Sequence, residues 1–428
     1  MKARILIVGG GVMGTSIAMN AARRTDPLTD PVVLIERREL GAGSSGRSGA
    51  ILRQCYSSRE LAGMARDSLR AYSTFTARTG RAIGFHRSGV VTLGGPPGSE
   101  GACSVAANVE MMQSIGIDAR LVDAGELRRL VPGIRVGDED RAAWEPDGGF
   151  VDPRKVVDQF AALARTYGAV TRPGVEATRL VVEDGCVTGV ETASGRIEAE
   201  QVVLVAGPWS ARLLAAAGVE LPVRVVRPEQ VFHQGPERLE PPRTEPDARP
   251  RVEPDPLERL GVDATGQIVE DDTPVPHPVI LDLEHGYYAR FDPTRGQTRL
   301  GRTDHAHDDV LDDPDALDER VTDAMRAFSR EALPRRMPAY ADLPDVDAQA
   351  AWYTLTPDSQ ALIGPLPGLE NLLLVTGFSG HGFKLAPSVG EGVAQMLFGD
   401  PVSAFDPDFF APGRFAGGSV EWGGDFGL

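Results

Sequence analysis

Three glycines and one acid carry the first recognisable chemistry of this chain. They read Gly9-x-Gly11-x-x-Gly14, and Glu36 follows twenty-two residues past the last glycine. The first glycine permits a tight turn, the second lets a pyrophosphate approach the backbone, and the third lets a helix pack closely on a strand. The amide end of that helix favours an anion, and an acid at position 36 accepts hydrogen bonds from a ribose. The flanks agree with this reading. Residues 3–8 (ARILIV) are a buried parallel strand by composition, residues 13–24 space apolar positions three to four apart, and residues 32–36 (VVLIE) form a second buried strand. Such a βαβ unit binds a dinucleotide; the competing reading is a glycine turn kept for packing alone. The motif does not separate NAD from FAD.

A second cluster reads GFSGHGFK over residues 377–384, after the strand-like NLLLVT and before a helix-like stretch ending at Leu397. Small and flexible positions at a strand end let a planar ligand lie against the backbone, with Lys384 at the ligand's edge. A hydrolase nucleophile elbow needs G-x-S-x-G, and here the fifth position is His381. His381 itself reads better as a helix-start or backbone contributor than as an acid or base. Residues 41–50 (GAGSSGRSGA) are too rich in glycine and serine for a regular element, and a loop closely approached by backbone or ligand fits them.

These segments need elements to position them. A chain of 428 residues suggests two domains, and 42% hydrophobic with 25% charged residues is globular composition. The formal charge of −17 repels a phosphate backbone, so neither nucleic acid nor an anionic membrane is expected as a partner. Cys55, Cys103 and Cys186 have no CxxC spacing, which excludes a disulfide framework and a cysteine-built zinc site and fits a reducing compartment. Cys55 reads as a small buried hydrophobe close to the glycine loop. No run of about 18 apolar residues occurs. Without a secretory leader, a cytoplasmic protein is expected. Helices are expected over 61–78, 102–115 and 153–167, and strands over 89–93 and 371–376. A hairpin turns at Asp184-Gly185 and leads to a buried strand ending near residue 205. Residues 234–278 read as a long Pro- and acid-rich surface insertion with the character of a lid. Residues 304–323 carry nine acids and one arginine and read as a solvated face leading to a helix start. His305 and His307, beside Asp304, Asp308 and Asp309, fit an acidic loop better than a metal site, and no metal is expected.

The fingerprint VGGGVMG, the loop SSGRSGAILRQ, the AGPW at 206–209, the TPD at 356–358 and GFSGHGFK, in that order, together resemble the FAD-dependent D-amino acid oxidase superfamily. Within it they are similar to the branch of sarcosine oxidase, glycine oxidase and dimethylglycine dehydrogenase. The resemblance covers nearly the whole chain and is weakest over 234–278. It implies an α/β fold: a Rossmann-like FAD domain from 1–85, 150–220 and 345–410, interleaved with a β-rich substrate domain from 86–149 and 221–344. It also implies oxidation of the C–N bond of a carboxylate-bearing amine, with dioxygen or another electron acceptor taking the electrons.

The site residues follow from the same resemblance. Gly9, Gly11, Val12, Met13 and Gly14, with Glu36 and Arg37, would hold the ADP half of FAD. Ser44, Ser45, Arg47, Ser48 and Gly49 would follow the pyrophosphate and the ring system. Val175 would meet the adenine through its backbone, beside Ala206, Gly207 and Trp209. Gly380, His381, Gly382, Phe383 and Lys384 would cover the pyrimidine end of the flavin. Arg53 and Lys384 stand where that family grips a substrate carboxylate, a guanidinium fork and an ammonium together. Alternatives stay open: an ordinary salt bridge for Arg53, a solvated surface lysine for Lys384. Tyr288 and Arg290, next to Tyr287, occupy substrate-facing positions, though structural roles suit the tyrosines equally.

The departures bear on mechanism. Sarcosine oxidase tethers its flavin through a cysteine just before YT-x-TPD; the corresponding residue here is Ala351, ahead of Trp352 and Tyr353. No histidine lies between 40 and 60, where dimethylglycine dehydrogenase-like enzymes use one. The expected cofactor is therefore non-covalent FAD. Arg299 stands where sarcosine oxidase has an oxygen-activating lysine, which keeps the charge and changes its geometry. Ala50 replaces a basic residue of that enzyme's loop. Both changes leave a dehydrogenase open beside an oxidase, and a non-catalytic flavin-binding protein is the reading from another class.

Overall fold

The computed structural model describes residues 2–236, 275–305, 307–415 and 422. The insertion expected over 234–278 falls mostly on residues outside these. One layer is a sheet in which Val170–Pro173, Val32–Glu36, Lys2–Val8, Gly195–Leu204 and Leu372–Thr376 run parallel in that order, with Leu362–Pro365 antiparallel at the edge. Val8 pairs in register with Ile35 on one side and Leu204 on the other, so three strands end together. Crevices at the carboxyl ends of such strands are where α/β sheets bind ligands. The helix Val12–Ala22 is buried on every side, and its neighbours explain why. It packs between Pro153–Thr166 and Gly382–Phe398, and a helix apolar all round belongs in a core.

The second layer is an eight-stranded sheet that includes Glu229–Gln234, Gln297–Arg302, Tyr287–Asp292, Val279–Asp282, Val90–Leu93 and Arg141–Glu145. All its neighbours are antiparallel except Val279–Asp282 with Val90–Leu93. Strand alternation sorts its side chains. Tyr287, Ala289 and Leu300 join the core on one face with the helix Asp323–Arg336. Tyr288, Arg290 and Arg299 take the opposite face, with Arg290 directly across from Arg299. The resulting mixed α/β architecture is the class expected from sequence.

Several elements differ from the sequence expectation in extent. The helix expected over 61–78 begins at Arg59, where the Ser58 hydroxyl accepts the Leu61 N–H, and breaks at Thr74. The last helix starts at Gly382, well ahead of Pro387, which a pattern reading treats as a start signal. Proline inside a helix leaves a carbonyl one turn back without its amide. Here the Tyr72 hydroxyl donates to that carbonyl, the one of Phe383, at 2.8 Å. Side-chain compensation by a residue more than 300 positions away is invisible to local patterning. The acids of residues 304–323 are mostly exposed, as expected, and Asp315 among them is also bound by two arginines and a tryptophan.

Candidate active site

The glycine turn sits where the three strands end. A Cβ at Gly14 would collide with the Gly9 carbonyl oxygen, and one at Gly9, which holds φ +122, would collide with the Val205 carbonyl. Glu36 is fixed by two amides: Gly10 N–H donates to Oε2 at 2.8 Å and Arg38 N–H to Oε1 at 2.9 Å. At the helix start, which lacks a side-chain cap of its own, the Val12 N–H donates to Ser45 Oγ at 2.9 Å. The loop 41–50 is thereby tied to the dinucleotide turn.

A long cleft runs from this turn. Gly9, Gly11, Val12, Met13, Glu36 and Arg37 line it on one side, and Ser44, Ser45 and Ser48 form part of its floor. Val175, Ala206, Gly207 and Trp209 close the opposite side, while Gly380, Gly382 and Phe383 line its far end. Two residues expected at the cofactor, Gly14 and Arg47, are engaged elsewhere. Gly14 packs helix on strand, behind the wall. Arg47 pairs with Glu319, donates to the Ala350 carbonyl at 2.8 Å and lies 4.9 Å from the Trp352 ring centroid. The cleft floor is glycine and serine because larger residues at these positions would fill the space a ligand needs.

A second cavity adjoins the first. Arg53, Lys384, His381, Gly49, Tyr288 and Tyr353 line it. Ser48, Tyr353, Gly380 and Phe383 border both cavities and mark their junction. Arg53 is 5% exposed and Lys384 9% exposed, so neither is a solvated surface group. The Arg53 guanidinium donates to the Cys55 carbonyl and sits 4.2 Å from the Tyr56 ring centroid. No hydrogen bond or ion pair engages the Lys384 ammonium among the described residues. Its proton affinity is held well below the ordinary lysine range, first by burial and then by Arg53, with Glu145 opposing. A cation buried in the first turn of a helix, beside another cation, is an arrangement that an incoming anion relieves. His381 is likewise held well below its usual range, by burial and then by Lys384 and Arg53, so it is neutral. Tyr288 and Tyr353 are pushed up by burial.

Arg290 and Arg299 do not line either cavity. Arg299 donates to the Arg47 carbonyl at 2.8 Å and to Gln230 Oε1 at 3.1 Å. Its aliphatic Cδ still comes within 3.8 Å of the place a Cβ would take on Gly49. Arg290 lies 4.5 Å from the Phe150 ring centroid and 3.3 Å from Asp292, and burial brings its guanidinium down to about 10. Cys55 is fully buried, and burial pushes its thiol up to about 12, so it is an inert core thiol.

Sequence reasoning missed Tyr56 and Glu145. Tyr56 lies three residues past Arg53, and its hydroxyl is 3.4 Å from His381 Nδ1. Glu145 is fully buried and accepts the Gln54 N–H; burial raises its carboxyl to about 7, against the pull of Gln54 and Arg53. In sequence it directly precedes a Pro-Asp-Gly-Gly turn, and nothing local signals that its side chain turns inward.

Fold and clefts together have the form of a dinucleotide-binding protein with a small charged side chamber. The family described as DAO, FAD dependent oxidoreductase, matches residues 4–396, and the chain belongs to it. It is 30% identical to N-methyl-L-tryptophan oxidase of Escherichia coli O157:H7 over 77% of each chain. It is 25% identical to 4-methylaminobutanoate oxidase (formaldehyde-forming) of Paenarthrobacter nicotinovorans over 97% of this chain but 46% of that protein, so it spans about half of that relative. In fold it is similar to L-proline dehydrogenase from P. horikoshii, with a TM-score of 0.80, 24% identity and coverage of 98% of this chain and 99% of that one. Sarcosine oxidase, dimethylglycine dehydrogenase and glycine oxidase, the branch its motifs resemble, are similar to it as well. FAD is the cofactor of the family, and the residues present fit it: a tight glycine turn at the strand ends, an open cleft that reaches the helix start at Val12, and an acid fixed at the ribose position by the Gly10 amide. No helix among the described residues is long and apolar enough to cross a membrane.

Proposed function

We propose that this protein oxidises the C–N bond of a small carboxylate-bearing amine, either a secondary amine or an amino acid. FAD, when bound, supplies the hydride acceptor; the imine left behind hydrolyses, and the electrons pass to dioxygen, giving hydrogen peroxide, or to another acceptor. The reading rests on one observation: a buried guanidinium and a buried ammonium share a cavity that opens onto the cofactor cleft at Ser48, Tyr353, Gly380 and Phe383.

In this reading Arg53 and Lys384 bind the carboxylate, and that anchoring aims the neighbouring carbon at the cleft. Both cations also disfavour a protonated amine, so the donor binds as the neutral amine that hydride loss requires. Tyr288 and Tyr353, their hydroxyls kept protonated by burial, shape the wall and exclude water. His381 stays neutral and packs edge to face against the Tyr56 ring behind the cavity wall. Arg299 supplies fixed positive charge beside the loop 44–50, and Ala351 leaves the cofactor untethered. Because Arg299 is engaged by a carbonyl and a glutamine, a dehydrogenase passing electrons to another acceptor is the second reading.

The test is anaerobic mixing of purified protein with a panel of N-methyl and free amino acids, followed by loss of flavin absorbance. Bleaching by at least one amine carboxylate and by no amine lacking the carboxylate is the expected result. Readmission of air then separates the two readings: rapid recovery with stoichiometric peroxide marks an oxidase, slow recovery a dehydrogenase. Arg53→Met and Lys384→Met that bleach as fast as the unaltered protein would exclude the carboxylate clamp.

A further inference from the structure

The acidic stretch at 313–319 lies against the rim of the cofactor cleft and grips it. It leaves the strand Asp309–Val310, makes a short turn over Pro314–Ala316 and leads to the helix Asp323–Arg336. Asp315 alone makes three contacts to residues lining the cleft. Arg37 Nη2 lies 2.6 Å from Oδ1, Trp209 Nε1 donates to the same oxygen at 2.9 Å, and Arg212 Nη1 donates to Oδ2 at 2.8 Å. These partners come from different elements. Arg37 follows directly on Glu36, the acid at the ribose position, and Arg212 belongs to the helix Ser210–Ala215 on the other side of the cleft. One carboxylate therefore bridges the two lips.

The bridge is held in place around it. The Arg37 guanidinium stacks 4.1 Å from the Trp209 ring centroid, and Trp209 meets Trp352 edge to face with ring centroids 5.4 Å apart. Trp352 Nε1 donates to the Pro314 carbonyl at 2.8 Å, Glu319 pairs with Arg47, and Arg227 Nε donates to the Asp318 carbonyl at 2.7 Å. The Asp315 carboxyl is held far below the usual carboxylate range by Arg37 first, then by Arg212 and Trp209, so it is ionised at any working pH. Its partners are 23% and 48% exposed, which leaves the ion pairs open to screening by salt.

We propose that residues 313–319 form a strap that retains the non-covalent cofactor, with Asp315 as the residue that fastens it and positions Arg37 over the cleft. The inference rests on FAD occupying this cleft and adds a determinant of its retention. With Ala351 where a covalent tether would start, dissociation is limited by opening of the cleft. Screened ion pairs make that opening depend on ionic strength.

The experiment follows FAD release from the holoprotein on dilution, read as the rise in flavin fluorescence. Salt is varied from about 0.01 M to about 1 M, over which the screening length falls from about 30 Å to about 3 Å. Release from the unaltered protein should accelerate several-fold across that range. Asp315→Ala should release FAD several-fold faster than the unaltered protein at low salt and with a weaker salt dependence, the remainder coming from the Arg47–Glu319 pair and the longer pairs of Arg37 and Arg212 with Glu176. The melting temperature of the flavin-free variant should match that of the flavin-free parent, which a merely structural role for Asp315 would not allow. Asp315→Asn, of equal size, serves if the alanine variant does not fold, and the salt response of the unaltered protein decides the matter without any variant. Release indifferent to salt, or unchanged in either variant, overturns the strap and leaves the cofactor assignment standing. A protein that takes up no FAD at low salt overturns both.

Discussion

Arg53 and Lys384 converge on one aromatic ring: the guanidinium carbon lies 4.2 Å and the ammonium nitrogen 5.9 Å from the centroid of Tyr56. Two cations against one ring face a shared chamber, and the π-cloud offsets only part of their repulsion. Burial and Arg53 both depress the proton affinity of Lys384, so in the empty chamber its ammonium is lost at a lower pH than a free lysine's. A bound carboxylate reverses that pull. Affinity for a simple carboxylate should therefore be highest at low pH and fall as pH rises through the depressed Lys384 value. Acetate or benzoate binding, read from perturbation of the flavin spectrum across the pH range, measures it. Lys384→Met should bind about 10–100-fold more weakly at low pH, the scale of a lost charge-assisted hydrogen bond, and with a flat profile. Lys384→Arg should keep the affinity and lose the slope. A parental profile without slope would show that Lys384 does not titrate with the anion.

The glycine turn admits a sharper contrast. A Cβ on Gly14 would strike the Gly9 carbonyl, whereas a Cβ on Gly49 meets only ordinary contacts, at 3.7 Å from Ile51 and Tyr288 and 3.8 Å from Arg299. Gly14→Ala should lower the melting temperature, by an overpacking cost of about 1–3 kcal/mol, and strip the protein of flavin. Gly49→Ala should fold normally and keep its flavin, with turnover lowered only modestly, because the methyl sits in the wall of the second cavity against Ile51 and Tyr288. Equal flavin content in both variants would contradict this assignment of the turn.

The dinucleotide turn was legible because its chemistry is local: the glycines, the strand before them and Glu36 all lie within the first 36 residues. Arg53 and Lys384 came from the resemblance, and their burial in one chamber is a tertiary fact. Tyr56 and Glu145 were not legible at all. Glu145 ends a strand and opens a turn, the sequence context of a solvated acid, yet it is fully buried, with the Gln54 amide presented to it from the segment after the strand Ile51–Leu52. The acids around Asp315 are exposed, as their composition implied, but their partners were not legible. Composition counts charges, while pairing with Arg37 and Arg212 depends on which chain segments the fold brings to the cleft.

Glu145 carries a pH signature of its own. Burial raises its carboxyl from the ordinary range to about 7. A raised acid binds its proton more tightly folded than unfolded, so its contribution to stability is full below the ordinary carboxylate range and is lost as pH rises through about 7. One such proton gives a slope of at most about 1.4 kcal/mol per pH unit. Glu145→Gln keeps an acceptor for the Gln54 N–H and removes the titration. Its unfolding midpoint in urea should vary less between pH 5 and pH 7 than that of the parent. Parallel curves would mean that Glu145 stays ionised throughout, screened by Arg53.

The helix that carries Lys384 depends on a substitute hydrogen bond. Pro387 has no N–H for the Phe383 carbonyl, and the Tyr72 hydroxyl donates to that carbonyl at 2.8 Å. Tyr72 is 1% exposed and stacks with Phe160 and Phe383 at centroid distances of 6.1 and 6.3 Å, so no water replaces the lost donor. Tyr72→Phe should leave a buried carbonyl unpaired at a cost of about 1–3 kcal/mol, seen as a lower melting temperature. The same loosening reaches the adjacent Lys384, so the Michaelis constant should rise more than turnover falls. Pro387→Ala restores a backbone donor to the helix and makes the tyrosine hydroxyl redundant. In that background Tyr72→Phe should cost markedly less, and a double-mutant cycle measures the difference. Additive costs would mean that Tyr72 stabilises the helix through its ring alone, with the hydroxyl contributing nothing to the turn that holds the ammonium.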